Sequence, residues 1–286
     1  MPELPEVEVL VRHLGPLLRN KIISSVHVRR ERVLRPTTPS ALSRALRGAR
    51  FGAVKRRGKY LLFEIQPRRK TEPFLLVGHL GMTGRMYVTR ATDPLPKHAA
   101  VVLRLGEEQF IFEDTRYFGR LTLDTSSIEA LGPEPLSDQF TVNGFAASLG
   151  RSAQPIKVKL LDQSLVAGLG NIYASEALFR ARVSPRMPAC RLTKASVCRL
   201  WRAIRETLRT AIQFGSTVPL NYAGNRNESA LFYYGIASEK AGPYEERLRV
   251  YDRQGLACIR CRGKIRRIVQ AARSTFYCPS CQPRAA

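Results

Sequence analysis

The chain has 286 residues, with 47 Lys and Arg against 23 Asp and Glu, and a formal net charge of +24. Hydrophobic residues make up 44%, which supports packed cores and excludes a disordered basic tail, and no apolar run reaches the roughly 18 residues a membrane span needs. The length suggests about two domains, six cysteines are too sparse for a disulfide-built fold, and the charge calls for a polyanionic partner, nucleic acid first and an anionic membrane surface second.

The first residues, Met1-Pro2-Glu3-Leu4-Pro5-Glu6, are acidic and lack an apolar stretch, so no secretory leader is expected. Residues 6–18 read as an amphipathic helix, because Val7, Leu10, Val11, Leu14, Leu17 and Leu18 recur at helical spacing. Pro2 and Pro5 fall before it or in its first turn, where a missing N–H costs nothing. Short segments rich in β-formers follow: Val26–Arg29, Tyr60–Ile65, Phe74–Val77, Ala100–Leu105 and Gln109–Phe112. One helix and then several short strands predict an antiparallel sandwich or barrel of about 130 residues. Between Arg29 and Lys70, lysine and arginine outnumber acids fourteen to two, a bias suited to a phosphate backbone.

Gly132-Pro133-Glu134-Pro135 is a stiff break and closes a first domain at 2–132. The period then changes. Gly168, Gly170 and Asn171 precede a helical stretch Ile172–Phe179, and Val197, Leu200, Trp201, Ile204, Leu208, Ala211 and Ile212 form one face of a long helix. This helical part is placed at 136–225. The polar stretch Gly215–Gly242 leads into a third part, 226–286, whose basic module of about 250–284 holds four cysteines.

The spacing Cys258-x2-Cys261-x16-Cys278-x2-Cys281 is the most specific pattern in the chain. Each Cys-x2-Cys turn sets two thiolates on one side of a metal, and the spacer between them can hold a hairpin. Four sulfurs close a tetrahedral shell with no open position, so one structural zinc is expected in place of a core that so few residues cannot build. Arg273 lies in the spacer beside Lys264, Arg266 and Arg267, chemistry suited to phosphate contact. Cys190 and Cys198 lack such partners and are expected to be plain buried thiols.

Pro2 gains meaning if Met1 is removed, as the small second residue leads one to expect. The free end is then a secondary amine titrating near ~7.7–8.0, so part of it is unprotonated at neutral pH. Such an amine can attack a sugar C1′ and form an iminium, an electron sink for the next step. Glu3 and Glu6 stand beside it as candidate proton donors. Taken alone, the segment is an ordinary helix lead-in with acids placed to suit the dipole.

In combination the motifs say more. Pro2-Glu3-Leu4-Pro5-Glu6-Val7-Glu8, Arg57-Gly58-Lys59-Tyr60-Leu61, His79-Leu80-Gly81-Met82-Thr83-Gly84, Asp114-Thr115-Arg116-Tyr117-Phe118-Gly119, Gly168-Leu169-Gly170-Asn171-Ile172-Tyr173-Ala174 and the cysteine module follow one another in order. Together, over nearly the whole chain, they resemble the bacterial formamidopyrimidine-DNA glycosylases, base-excision repair enzymes for oxidised purines. The resemblance implies an α+β multidomain fold: an N-terminal β-sandwich with a catalytic amphipathic helix, a helix–two-turn–helix domain and a C-terminal β-hairpin zinc finger. It implies double-stranded DNA, carrying an oxidised base or an abasic site, held in a positive cleft with the damaged nucleotide flipped out. It also implies a bacterial, cytoplasmic, nucleoid-associated protein, and a monomer is expected because a clamp on one lesion needs no symmetry.

By the same resemblance Pro2 is the nucleophile, Glu3 the acid/base catalyst, and Lys59 a phosphate-contacting lysine at the catalytic centre. β- and δ-elimination then leave a gap with phosphate at both ends. Asn171, Arg273, Lys157, Tyr251 and His98 correspond to DNA-contacting positions, and Glu6 and Glu176 to further active-site positions. Met82, Arg116 and Phe118 correspond to the residues that fill the hole left by the extruded base. Three glycines around Met82 favour a turn that displays its side chain, Met and Phe suit unstacked base faces, and arginine can address an orphaned cytosine.

Two stretches depart from the family. Ala99-Ala100 stands after Lys97-His98 where Asp-His is usual, which removes a second histidine contact. Gly215–Gly242 differs in the region of the lesion-covering loop, where specificity largely resides. Two rival readings stay open at this point: an endonuclease VIII-like glycosylase for oxidised pyrimidines, and a non-catalytic zinc-finger protein that only binds damage. A membrane-surface role has no cationic amphipathic helix to support it.

Overall fold

A computed structural model describes residues 2–68, 72–214 and 248–283; the Gly215–Gly242 stretch lies outside them. The described chain divides into two compact units, one of residues 2 and 6–129, the other of residues 3–5, 130–214 and 248–283. Among the described residues no helix is long and apolar enough to cross a membrane.

The first unit holds helix α1 (Leu4–Leu18) from Glu6 onward, with its first turn, Leu4–Pro5, counted in the second. The helix begins two residues before the expected start, so Glu6 lies inside its first turn and not ahead of it. Val7, Leu10, Leu14 and Leu18 are buried at helical spacing, as expected, while Leu17 is only half-buried. After β1 (Ser25–Val28) and α2 (Pro39–Leu46) come seven strands: β2 (Arg50–Arg57), β3 (Tyr60–Gln66), β4 (Phe74–His79), β5 (Arg85–Arg90), β6 (Ala99–Leu105), β7 (Glu108–Glu113) and β8 (Arg120–Thr122), with a short helix α3 (Ser126–Glu129) behind them.

The strands form two antiparallel four-stranded sheets, ordered β1-β6-β7-β5 and β2-β3-β4-β8. The alternation of the strands turns Leu61, Phe63 and Ile65 of one sheet and Val101, Leu103, Phe110 and Phe112 of the other into one core with α1. Phe63 meets Phe51 and Phe110 edge-on, ring centroids 5.9 and 5.6 Å apart, so the two sheets are stitched by aromatic contacts. Ala99 and Ala100 are buried in β6, small side chains in the interior of the sheet.

In the second unit, α4 (Val142–Gly150), α5 (Ile156–Lys159), α6 (Asn171–Ala181) and α7 (Lys194–Gln213) make a helical body. Thr141 and Thr193 cap α4 and α7, accepting from Gly144 N at 3.1 Å and Ser196 N at 3.2 Å. The expected face of α7 is buried at Val197, Leu200, Ile204, Leu208 and Ala211. Trp201 donates to the Phe140 carbonyl at 2.7 Å, and Arg205 to the Pro135 and Ser137 carbonyls at 3.0 and 2.8 Å. The chain just past the Gly-Pro-Glu-Pro break is thereby tied to α7.

Strands β9 (Arg266–Gln270) and β10 (Arg273–Tyr277) form a hairpin inside the cysteine spacer, with Arg273 paired to Gln270 across a two-residue turn. Ala271 and Ala272 both take positive φ, 48° and 58°, the twist that a tight hairpin demands at both central positions. The expectation of two buried thiols is corrected: Cys190 is exposed and Cys198 is half-buried. Cys190 sits in a single 3-10 turn, Ala189–Arg191, whose buried member is Ala189.

Candidate nucleic-acid interface and catalytic residues

In the second unit the N-terminus of α6 is a meeting point. Its N-cap is Gly170, which offers no side-chain oxygen. The Glu3 carboxylate takes that role, accepting from Ile172 N at 2.8 Å and Tyr173 N at 3.4 Å. The first N–H groups of a helix are unpaired and carry partial positive charge, so a buried carboxylate is favoured there. The chain beside it is fixed by a hydrogen bond from Leu4 N to the Gly168 carbonyl at 3.1 Å. The glycines of the Gly168-Leu169-Gly170 segment are needed for space. A Cβ on Gly170 would lie 2.2 Å from Glu3 Cδ, and one on Gly168, whose φ is +83°, would lie 2.7 Å from Leu4. Pro2 precedes this anchored glutamate by one residue and is itself buried.

Asn171, the first residue of α6, links two neighbours. Its Oδ1 accepts from Lys157 Nζ at 2.5 Å, and its Nδ2 donates to the Ser274 carbonyl at 2.9 Å, next to Arg273. Lys157 is fully buried. Burial pulls its ammonium down to about 8; the nearby Glu3 charge opposes that fall and Arg273 adds to it. Burial pushes the Tyr251 phenol up, the hydrogen bond with Asn171 pulls it back, and the Glu3 charge adds to the rise. Five residues further along α6, Glu176 is buried and accepts three backbone N–H groups, from Arg249 at 3.0 Å and from Val250 and Tyr251 at 2.9 Å each. Burial raises its carboxyl while these three donors oppose the rise. The role of this contact is visible in the geometry: it fixes the segment that carries Tyr251.

The four cysteine sulfurs lie within 4.8 Å of one another. Cys258 and Cys281 are 3.9 Å apart, and Cys261 and Cys278 3.4 Å, against about 3.8 Å for neighbouring sulfurs in a tetrahedron with Zn–S bonds of about 2.3 Å. The set fits one zinc ion. Beneath it Phe179, Val250, Ile265 and Phe276 supply a small apolar cluster.

The first unit carries the other predicted residues. Lys59 is buried and sits in the two-residue turn between β2 and β3, where Gly58 takes a φ of +57°. A residue missed from sequence fixes this turn. Glu8 of α1 accepts from Arg56 at 2.9 Å, and Arg56 also donates to the Gly58 carbonyl at 3.1 Å. Glu8 stands in the quoted N-terminal motif, but only the fold shows that it faces a basic strand. Burial raises the Glu8 carboxyl, and the paired Arg56 and Arg12 more than reverse this, holding it below the usual range. Glu6 is buried beside these residues in sequence.

His79 was also missed. It packs on Tyr60 with ring centroids 4.7 Å apart, and its Nδ1 accepts from Gly81 N at 3.1 Å. Burial, with Lys59 and Arg120 adding to it, lowers its imidazole to about 4. A neutral ring is therefore the acceptor that starts the Met82 turn. Met82 and Phe118 are 46% and 45% exposed, and the Arg116 guanidinium lies 4.9 Å over the Phe118 ring. His98 Nδ1 faces the Tyr117 hydroxyl at 3.3 Å.

Two antiparallel sheets, a helical body whose α6 is capped by Glu3, and a four-cysteine hairpin finger are the parts expected of a DNA glycosylase of the helix–two-turn–helix class, and the comparisons place the chain in that class. Three family descriptions match in order: "Formamidopyrimidine-DNA glycosylase N-terminal domain" over residues 1–121, "Formamidopyrimidine-DNA glycosylase H2TH domain" over 131–220, and "Zinc finger found in FPG and IleRS" over 255–284. The formamidopyrimidine-DNA glycosylases of Paracoccus denitrificans and Thermus thermophilus are each 40% identical to this chain, covering 99% of it and 100% and 98% of their own lengths. Solved structures of the Lactococcus lactis enzyme are similar. A variant bound to Fapy-dG-containing DNA aligns with a TM-score of 0.87, and a complex with abasic-site DNA with 0.86. Both are 33% identical and cover 99% of this chain and 100% of theirs. The chain belongs to the formamidopyrimidine-DNA glycosylase family.

The buried Lys157 gives a pH test. Its folded pKa of about 8 lies below an unfolded value near 10.5. Between the two the unfolded chain holds a proton that the folded chain lacks, so stability rises with pH across that window and the burial penalty is fully present below pH 8. Denaturant unfolding of wild type should therefore gain about 3 kcal/mol relative to Lys157→Met from pH 8 to 10.5. Parallel pH profiles for the two proteins would contradict this.

Proposed function

We propose that the chain is a bifunctional DNA glycosylase and abasic-site lyase that excises oxidised purines, 8-oxoguanine and formamidopyrimidines, from duplex DNA, with Pro2 as its nucleophile. The observation that carries the reading is Glu3 held on the N-terminus of α6 one residue after Pro2. In this reading the three segments 2–132, 136–225 and 226–286 divide the work into chemistry, backbone grip, and lesion cover with finger. A bacterial cytoplasmic setting and a monomeric state go with it.

The steps follow from the residues. With Met1 removed, the Pro2 secondary amine is partly unprotonated at neutral pH. Its nitrogen bonds to C1′ as the glycosidic bond breaks, and the base departs with the bonding pair and is protonated by water. The Glu3 carboxylate takes the proton from the new ammonium and passes it to the ribose ring oxygen as the ring opens. The result is an iminium between Pro2 and C1′. It acidifies the C2′ hydrogens, so proton loss there expels the 3′ phosphate and a second elimination expels the 5′ phosphate. Water then hydrolyses the iminium and frees Pro2.

Lys59, Asn171, Tyr251, His98 and Arg273 are assigned to the phosphates around the extruded nucleotide, the fully buried Lys157 to the charge behind Asn171, and Glu6 and Glu176 to support of the active site. A buried lysine hydrogen-bonded to Asn171 is a pre-placed positive charge that needs little reorganisation when an anion arrives. Met82, Arg116 and Phe118 fill the vacated stack. The zinc supplies folding energy to the finger and takes no part in the chemistry.

Borohydride trapping tests the reading. Duplexes with 8-oxoguanine opposite cytosine should give a covalent adduct mapped to Pro2, faster than duplexes with an oxidised pyrimidine. An adduct on an internal lysine would refute the nucleophile, and faster trapping by the pyrimidine lesion would favour the endonuclease VIII-like reading. Gly170→Ala should slow trapping by about 100-fold through displacement of Glu3, the scale expected for a misplacement near 1 Å. An unchanged rate would show that the cap does not position the catalyst.

A further inference from the structure

We propose that Asp114 is a positioning residue for lesion extrusion. With Thr83 it locks the Met82 turn and the Arg116–Phe118 loop into one wedge before DNA arrives. The proposal rests on the reading above that Met82, Arg116 and Phe118 fill the void.

Asp114 follows β7 and is completely buried. A carboxylate in that position is costly unless its oxygens are satisfied. Here Oδ1 accepts from the Thr83 hydroxyl at 2.6 Å and from Arg116 N at 3.1 Å, and Oδ2 accepts from Gly119 N at 2.8 Å. All three donors belong to the two segments that display the wedge. The Asp114 N–H donates to the His98 carbonyl at 3.1 Å, so the clamp is itself tied to the turn that leads into β6.

The two segments touch backbone to backbone. Gly81 has a φ of +59°, and a Cβ there would lie 2.6 Å from Gly119 N and 2.7 Å from the Phe118 carbonyl carbon. Tyr117, between the two displayed residues, has a φ of +54°. A bulky aromatic rarely adopts that conformation, and it persists only where its surroundings enforce it. Asp114 holds the N–H groups on either side of Tyr117, and Arg30 Nε donates to the Tyr117 hydroxyl at 3.2 Å. The strained residue lets Arg116 and Phe118 stack on each other with both side chains exposed. If the loops were loose, ordering them would be charged to the encounter with DNA. The clamp pre-orders them.

The test uses full-length Asp114→Asn and Thr83→Ala. Three readouts are compared under single-turnover conditions: excision of 8-oxoguanine opposite cytosine in a duplex, unstacking reported by 2-aminopurine next to the lesion, and cleavage of an abasic site in a single strand. The single strand has no stack to fill. Thr83→Ala, which removes one bond and leaves the buried carboxylate its other donors, should slow unstacking and duplex excision about fivefold, and Asp114→Asn by about 10- to 100-fold. Single-strand cleavage should stay within about twofold of wild type for both, because the chemistry residues are untouched. Equal losses on duplex and single strand, or unchanged duplex excision, would overturn the clamp while leaving the functional reading intact. Wild-type protein inert on both substrates would overturn that reading and the clamp with it.

Discussion

The carboxylate of Glu3 on the first turn of α6 is the contact on which the arrangement of the second unit depends. A helix start without a side-chain cap leaves N–H groups unpaired, and Gly170 cannot supply an oxygen. Glu3 fills the deficit from 167 residues away in the chain only because the backbone at Gly168 and Gly170 is bare enough to admit it. The same short helix then orders its neighbours. Asn171 holds Lys157 and the β10 strand, and Glu176 holds the segment before the finger. One helix of eleven residues thus fixes the carboxylate next to Pro2, a buried cation and the approach to the finger hairpin.

The first unit solves a different problem, the display of apolar and basic side chains that would ordinarily be buried or solvated at random. Two sheets with an aromatic seam supply rigidity. Tight turns with bare glycines then display Met82 and seat the buried Lys59, and half-buried acceptors hold those turns. Glu8 acts through Arg56 on the Lys59 turn, and His79 acts on the Met82 turn. Polar groups withdrawn from water are costly unless satisfied, and both of these half-buried acceptors have a donor. The large positive charge supplies attraction to phosphate that is independent of sequence, so the turns need only supply shape.

Much of this was legible in the chain. The apolar stripe of α1, the face of α7 and the hairpin between the cysteine pairs all stand where periodicity and spacing put them. What local pattern hid was β2. Arg50–Arg57 carries so many cations that the run reads as a solvated charge cluster, yet Phe51 and Gly52 are buried and Arg56 is paired with Glu8. Strand β5 was hidden for a similar reason, since Arg85 and Arg90 bracket its core residues. Contacts between distant residues had no local signature at all. Glu8 with Arg56, Glu176 with the backbone of 249–251, and Asp114 with Thr83 join segments that only the fold brings together. Cys190 shows the converse: a thiol expected inside lies outside, because a 3-10 turn offers too little surface to bury every member.

In the proposed reaction a free imino group at residue 2, next to an anchored carboxylate, carries the chemistry. The most direct measurement pairs the intact mass of the protein with its ability to incise a lesion-bearing duplex, before and after selective acylation of the terminal nitrogen. The account predicts that purified active protein begins at Pro2 and that acylated protein still binds the duplex but no longer cuts it. Full incision by protein that retains Met1, or by the acylated form, would contradict it.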